Sequence, residues 1–374
     1  MRRNGTVRNI LSKNWKGLVE GAFDYNVLRH LKVLPPKQMQ INITYRCNAR
    51  CEMCNIWQMD TRGEMTMDQW RAAMQDPIFT TIERLTVAGG EPTLHPQILD
   101  LLTLFMKTMP RLRSLTLITN GFLPRRTVEQ VETIARLCRN RDVSLSVSVS
   151  IDGLEEMHES VRHIPNAFAK TRDTLLALKD IQAEFGFWLG VGTVVYRKNL
   201  YGVRDVRDWC EAQGIPCTLQ VVGFHESYVA NTDQQDELDF TEEDRAYLLE
   251  LLEELAADRS PGNVMSYYWR DLIQMYGNGA SRSTPCPFAV DAFVLDSFGD
   301  VYYCLSERKI GNCLGEQSVS DLYYAPQNRE FRNWMTGHSC LSCNSACFVH
   351  TGLKKDLKKL AWYMATGRLG PPGV

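Results

Sequence analysis

The chain has 374 residues, 23% of them charged, and a formal net charge of −2. That length suits one large domain with a smaller one, and the balanced charge carries no polyanion-binding signature, so nucleic acid is not an expected partner. No apolar run approaches the ~20 residues of a membrane span, and no apolar h-region follows the basic N-terminus. Twelve cysteines in such a chain point to metal ligation in a reducing, cytoplasmic setting rather than to disulfides.

The charge is uneven. Residues 1–38 hold eight Lys/Arg against two acids, and residues 348–374 hold five against one. Within 1–38, Val7 to Leu31 is patterned as an amphipathic helix, closed by Pro35-Pro36. Packing against the body of the protein is its plainer use. Lys354 to Arg368 reads as a second basic amphipathic helix, ended by Gly370-Pro371-Pro372-Gly373. Two basic ends on an acidic body are compatible with peripheral contact with an anionic membrane.

From Met39 onward strands and helices alternate. Candidate strands are Met39–Thr44, Arg84–Ala88, Ser114–Thr119, Ser144–Ile151, Trp188–Tyr196 and Thr218–Gly223. Candidate helices are Thr66–Gln75, with Thr66 and Gln69 as a capping box, then Gln97–Met109, Arg126–Arg139, Phe168–Phe185, Val203–Gln213 and Glu242–Ala257. Six βα units call for an α/β fold with a parallel sheet, too few for a closed eight-stranded barrel. Function in such sheets collects at the carboxyl ends of the strands.

The first strand runs straight into Cys47-Asn48-Ala49-Arg50-Cys51-Glu52-Met53-Cys54. Three thiolates spaced C-x3-C-x2-C are one short of a closed zinc or iron–sulfur site. The economical reading is a [4Fe–4S] cluster with one iron open to another ligand. Strand two ends in Gly89-Gly90-Glu91-Pro92, where glycines let backbone approach a ligand. Strand four places Ser144, Ser146, Ser148 and Ser150 on one face. Gly190 and Gly192 in strand five allow close approach of a ligand or a neighbour. Cys138, Cys210 and Cys217 read as buried framework thiols.

The cysteine loop with this Gly-Gly-Glu-Pro turn resembles the radical S-adenosylmethionine (radical SAM) enzymes, over about 39–225. One departure is Met53, where the family usually has an aromatic residue. The resemblance implies a partial (βα)6 TIM-like barrel. It implies that Cys47, Cys51 and Cys54 hold a catalytic [4Fe–4S] cluster, whose open iron chelates S-adenosyl-L-methionine. It also implies that Gly89, Gly90 and Glu91 receive the amino group, with Glu91 as its charged partner. Thr119 and Asn120 would face the ribose, Ser150 (or Ser148) and Arg162 the carboxylate, and Asn199 the adenosine. Flavodoxin or ferredoxin would donate the electron.

Six further cysteines follow: Cys286, Cys304, Cys313, Cys340, Cys343 and Cys347. A hairpin patterned over Val290–Leu295 and Asp300–Tyr303 presents the first pair. This group resembles the SPASM or Twitch auxiliary-cluster domain and implies one auxiliary [4Fe–4S] cluster on Cys286, Cys304, Cys340 and Cys343, with Cys347 as a substitute and Cys313 as a spare. Structural zinc is the competing reading. The expected domains are a basic helical extension over 1–38, the core over 39–225, a helical bridge over 226–280, the auxiliary domain over 281–350 and a basic helix over 351–374.

An auxiliary cluster favours net oxidation. Residues 1–38 are too short for a winged-helix leader-peptide domain, so a small molecule such as a sugar, aminocyclitol or nucleoside intermediate is the first expected substrate. A ribosomal peptide comes second and a lipid-linked substrate third. The contrasting class is an iron–sulfur electron carrier without radical chemistry, which leaves the features around Glu91, Asn120 and Ser150 unused.

Overall fold

Alternating strand patterns and helical stripes fold as the sequence predicts into an α/β architecture. The computed structural model describes residues 20–257 and 265–369. It contains two compact units: a sheet unit, Pro35–Phe240 with Ala292–Asn328, and a second unit from the described parts of Met1–Leu34, Thr241–Asp291 and Arg329–Val374.

In the sheet unit, β1 (Gln38–Asn42), β2 (Arg84–Ala88), β3 (Ser114–Thr119), β4 (Ser144–Ser150), β5 (Trp188–Val195) and β6 (Cys217–Val221) pair in parallel, each beside its sequence neighbour. The connecting helices are α1 (Met67–Ala73), α2 (Ile98–Thr108), α3 (Pro124–Asn140), α4 (Glu155–Arg162), α5 (Ala167–Phe185) and α6 (Val203–Ala212). The Thr66/Gln69 capping box forms at α1. Proline at the first position of α3 fits because that N–H has no helical partner in any case. This is an open, partial TIM-like barrel.

Pleat decides which face meets what. On β4, Leu145, Val147 and Val149 are buried, while Ser146, Ser148 and Ser150 are half-buried on the opposite side. Val149 points toward Thr174 of α5 across Gly121. The serines therefore line the face not covered by that helix. Of the two strand glycines, Gly190 makes room for a neighbour: a Cβ there would lie 2.2 Å from the Trp188 ring. At Gly192 the nearest atom is Ser148 Oγ, at 3.1 Å.

Three differences from the sequence expectations matter. First, the hairpin β7 (Ala292–Asp296) and β8 (Asp300–Tyr302) forms as predicted, but β7 also pairs in parallel with β1, and β9 (Gly311–Asn312) follows β8. The sheet therefore has nine strands in the order β6-β5-β4-β3-β2-β1-β7-β8-β9, and the hairpin, with Cys304 and Cys313, belongs to the sheet unit, whereas Cys286, Cys340, Cys343 and Cys347 of the expected 281–350 domain belong to the second unit. Second, the C-terminal basic helix breaks into Val349–Lys355 and Leu357–Thr366. Asp356 leaves helical geometry, and its carboxylate caps the Lys359 amide. Lys355 pairs with buried Asp291 and Lys359 donates to the Ser283 carbonyl, so two of the four lysines expected on a membrane-facing surface turn inward. Third, Cys217 is half-buried rather than buried. The expected Val7–Leu31 helix lies outside the described residues up to residue 19, and is helical over 20–31. Among the described residues no helix is long and apolar enough to cross a membrane.

The β7 end carries a buried carboxylate. Asp296 accepts from the Phe298 and Asp300 amides through Oδ1, and from the Tyr45 and Tyr302 hydroxyls through Oδ2. Burial, reinforced by Asp300, pushes its pKa up to about 6. Folded protein holds a proton that the unfolded chain releases near pH ~4. The stabilisation from this group is thus full below that pH and lost as pH rises through about 6. Asp296→Asn cannot ionise and keeps one acceptor. Its urea midpoint relative to wild type should rise between pH 4 and pH 8; a pH-independent difference would contradict the assignment.

Candidate cofactor and cluster site

The pairing of β1 with β2 does not stop at the sheet. Ile43 donates to the Ala88 carbonyl at 3.2 Å, then Gly90 to Thr44 at 2.8 Å and Glu91 to Arg46 at 2.7 Å. The loop after β2 thus lies directly on the backbone entering the cysteine loop. Only glycine permits this contact. A Cβ on Gly89, whose φ is +135°, would stand 2.2 Å from the Thr44 carbonyl oxygen, and one on Gly90 2.4 Å from that of Arg46. Glu64 braces the same entry, accepting from the Thr44 hydroxyl, the Tyr45 amide at 2.5 Å and the Ser297 hydroxyl at 3.0 Å.

Cys47, Cys51 and Cys54 are free thiols on this loop. Burial pushes Cys47 and Cys54 up to about 12 and raises Cys51 as well, and the charge of a neighbouring cysteine or carboxylate adds to the rise in each. Three thiolates packed together without a cation are costly; coordination removes that cost by deprotonating them onto metal. Soft sulfur donors alone suit iron–sulfur ligation. Among the described residues no three His, Cys, Asp or Glu side chains surround a single metal-ion position. A [4Fe–4S] cluster asks for no such position, since each cysteine binds its own iron. The donor set fits that group.

Arg162, at the end of α4, is the positive charge beside these sulfurs. Its Nη1 donates to Cys51 Sγ at 3.3 Å, and its Nη2 pairs with Asp152 at 2.5 Å. Both side chains are buried, and Arg162 Nε has no partner among the described residues. The α4 backbone adds two ties, with Arg50 donating to the Arg162 carbonyl and Glu52 to that of Val161.

Several expected roles need correction. Glu91 offers no exposed carboxylate for an amino group. It is 1% exposed and accepts from the Thr93 amide and hydroxyl, the Thr119 hydroxyl and the Asn120 amide. It ties the β2 and β3 loops together, which spends the Thr119 hydroxyl as well. Asn199 is fully buried; its amide donates to the Asp152 and Val194 carbonyls and accepts from the Tyr196 amide, so it straps the end of β5. Asn120 donates to Asn48, inside the cysteine loop. Ser148 and Ser150 remain half-buried on the uncovered face of β4.

Other residues of the site went unread in the sequence. Asp152 directly follows β4 and is the partner of Arg162. Glu52, inside the cysteine motif, is held by the Tyr196 hydroxyl at 2.7 Å, by Lys198 and by His163. The loop after β6 is stitched to the motif: Asn55 donates to the Ala230 carbonyl, and Asn231 to that of Met53. Tyr228 from this loop donates its hydroxyl to the Gly89 carbonyl at 3.3 Å.

In the second unit, Cys286 lies within the electrostatic reach of Cys343 and Cys347, around the buried Arg282. Cys340 sits on the short turn just before Cys343. Cys347, expected as a substitute, lies in the same unit as Cys286, Cys340 and Cys343. Cys304 and Cys313 belong to the sheet unit, after β8 and β9.

Residues 41–198 match the family model described as the Radical SAM superfamily. The chain is similar to Fe-coproporphyrin III synthase of Methanosarcina barkeri, 24% identical over 255 residues, covering 65% of this chain and 59% of that protein. It is also similar to PqqA peptide cyclase of Bradyrhizobium diazoefficiens, 26% identical over 175 residues, covering 46% and 42%. The matches thus span about half the length of these curated relatives. Streptococcus suis SuiB bound to S-adenosylmethionine superposes with a TM-score of 0.59 at 15% identity, covering 93% of this chain and 87% of that one. SuiB also superposes in its complex with the precursor peptide SuiA. At these identities the superposition speaks for the fold.

The Asp152–Arg162 pair yields a stability prediction. Removing one member of a buried pair strands the other, at a cost of about 3–5 kcal/mol. Asp152→Ala should lose that much in urea unfolding of the cluster-free protein, and adding Arg162→Met should restore part of it. A double variant as unstable as the sum of both singles would show that the two charges are not coupled.

Proposed function

From the match of residues 41–198 to the family model described as the Radical SAM superfamily, we propose that this chain is a peptide-modifying radical SAM enzyme with one auxiliary [4Fe–4S] cluster in a SPASM- or Twitch-like C-terminal part. The observation that carries the radical chemistry is the contact of the backbone entering the free-thiol loop with the Gly89-Gly90 turn, which brings three sulfur donors and a glycine backbone edge to one end of the sheet.

When bound there, the cluster supplies the electron that cleaves the sulfonium of S-adenosylmethionine and releases a 5′-deoxyadenosyl radical able to take hydrogen from substrate. Cys47, Cys51 and Cys54 hold it. Backbone carbonyls of the Gly89–Gly90 turn take the amino end of the cofactor, the role that the enclosed Glu91 carboxylate does not fill. Ser150, Ser148 and the unpartnered Arg162 Nε are the donors for its carboxylate. Arg162 holds a positive charge at Cys51 throughout, and Asp152 neutralises that charge. Cys286, Cys340, Cys343 and Cys347 are the ligands assigned to the auxiliary cluster. Flavodoxin or ferredoxin would serve as the reductant.

Proteins named for peptide substrates recur in both comparisons, PqqA peptide cyclase by sequence and SuiB by fold. The sugar-, aminocyclitol- or nucleoside-type oxidation expected first from sequence finds no such support. A tetrapyrrole substrate is the second reading, favoured by the long alignment with Fe-coproporphyrin III synthase.

Deuterium transfer separates these. Anaerobically reconstituted protein, dithionite and S-adenosylmethionine are incubated with uniformly deuterated peptides encoded beside the gene, or with deuterated coproporphyrin III. The expected result is 5′-deoxyadenosine carrying deuterium from a peptide. Label arriving only from the porphyrin would overturn the peptide assignment, and no 5′-deoxyadenosine at all would favour the electron-carrier class.

A further inference from the structure

Arg282 lies in the loop between the helix Met265–Asn278 and Cys286, and its side chain is 2% exposed. Its guanidinium is wrapped in the backbone of the second cysteine group. Nε donates to the Thr284 carbonyl at 2.9 Å. Nη1 donates to the carbonyls of Cys343 at 2.7 Å and Ser345 at 2.9 Å, and reaches Cys343 Sγ at 3.5 Å. Nη2 is buried without a partner among the described residues.

A guanidinium this deeply enclosed calls for an anion. Asp271 adds a weaker charge near it, and its oxygens accept hydrogen bonds from the Ser283 and Thr284 amides and the Thr284 hydroxyl rather than from the guanidinium. The sulfur in reach of Arg282 is that of Cys343, and Cys286 is the other thiol whose ionisation it would favour. An arginine serving only as backbone glue would have its donors filled by carbonyls. Here one donor is left over beside the Cys343 sulfur.

We propose that Arg282 is the buried counter-ion of the centre held by these cysteines, and that its fixed charge raises that centre's reduction potential. This rests on the auxiliary [4Fe–4S] cluster proposed above. Ligated by thiolates, such a cluster is an anion that becomes more negative by one charge on taking up one electron, with no bond made or broken. A cation that cannot deprotonate and is screened from water stabilises the reduced form more than the oxidised one, so it favours electron acceptance. The arrangement at Cys51 differs, because there the guanidinium is already neutralised by Asp152.

The test uses the full chain with Cys47, Cys51 and Cys54 replaced by alanine, so that iron loads only the second group. Iron content and potentiometric titration followed by electron paramagnetic resonance are read for Arg282, Arg282→Gln and Arg282→Lys. Arg282→Gln should shift the reduction equilibrium at least tenfold toward the oxidised form, a potential lower by about 59 mV for a one-electron couple. Arg282→Lys should stay within about threefold of the parent. An iron-loaded Arg282→Gln with an unchanged potential would overturn the counter-ion role while leaving the cluster in place. If Arg282→Gln fails to retain iron, the lysine variant decides, since a tenfold shift with the charge kept would contradict the proposal. A parent protein that holds zinc and no iron would remove the auxiliary cluster itself, and this inference with it.

Discussion

The site depends on a hydrogen-bond ladder that outlasts its sheet. After Asn42 and Ala88 the two chains stop being strands, yet they keep exchanging backbone hydrogen bonds through Thr44 and Arg46. The cysteine loop and the glycine turn are therefore one rigid backbone object, not two loops that happen to meet. Gly89 and Gly90 are what allow it, because any Cβ there would overlap a carbonyl oxygen. Glu64 fixes the entry from the other side by accepting from Thr44, Tyr45 and Ser297. A catalytic cluster whose open iron must meet a cofactor at a set distance needs this kind of preorganisation.

Charge is handled by a repeated device with one variation. Each thiol group contains a buried arginine reaching a cysteine sulfur, Arg162 to Cys51 and Arg282 to Cys343. Arg162 is in an ion pair with Asp152, whereas the guanidinium of Arg282 donates to carbonyls and one sulfur and, among the described residues, forms no ion pair. The same residue type therefore produces two different local fields. On the proposed reading, the ion-paired arginine belongs beside the centre that gives up an electron, and the other beside the centre that accepts it.

Much of the frame was legible because it rests on local periodicity. Six strands, the helices between them and the Thr66 cap were readable from residues close in sequence. What escaped was non-local or directional. Nothing in Ala292–Asp296 announces that it will pair with Gln38–Asn42, some 250 residues earlier. Helix Glu155–Arg162 was missed because it is only two turns long and ends at His163 in a left-handed conformation. Period also cannot say where a polar side chain points. Glu91 and Asn199 carry the residue types of ligand contacts, yet their neighbours consume them as struts. The Asp152 carboxylate was invisible for the same reason, since only its meeting with Arg162 gives it a role.

The central claim is that the three sulfurs of this braced loop hold a cluster that cleaves S-adenosylmethionine. Formation of 5′-deoxyadenosine by anaerobically reconstituted protein, compared with the Cys47→Ala/Cys51→Ala/Cys54→Ala variant, tests it most directly. The account predicts product from the parent and none from the variant, with the iron of the second group retained. A variant that still forms 5′-deoxyadenosine at the parent rate would contradict it.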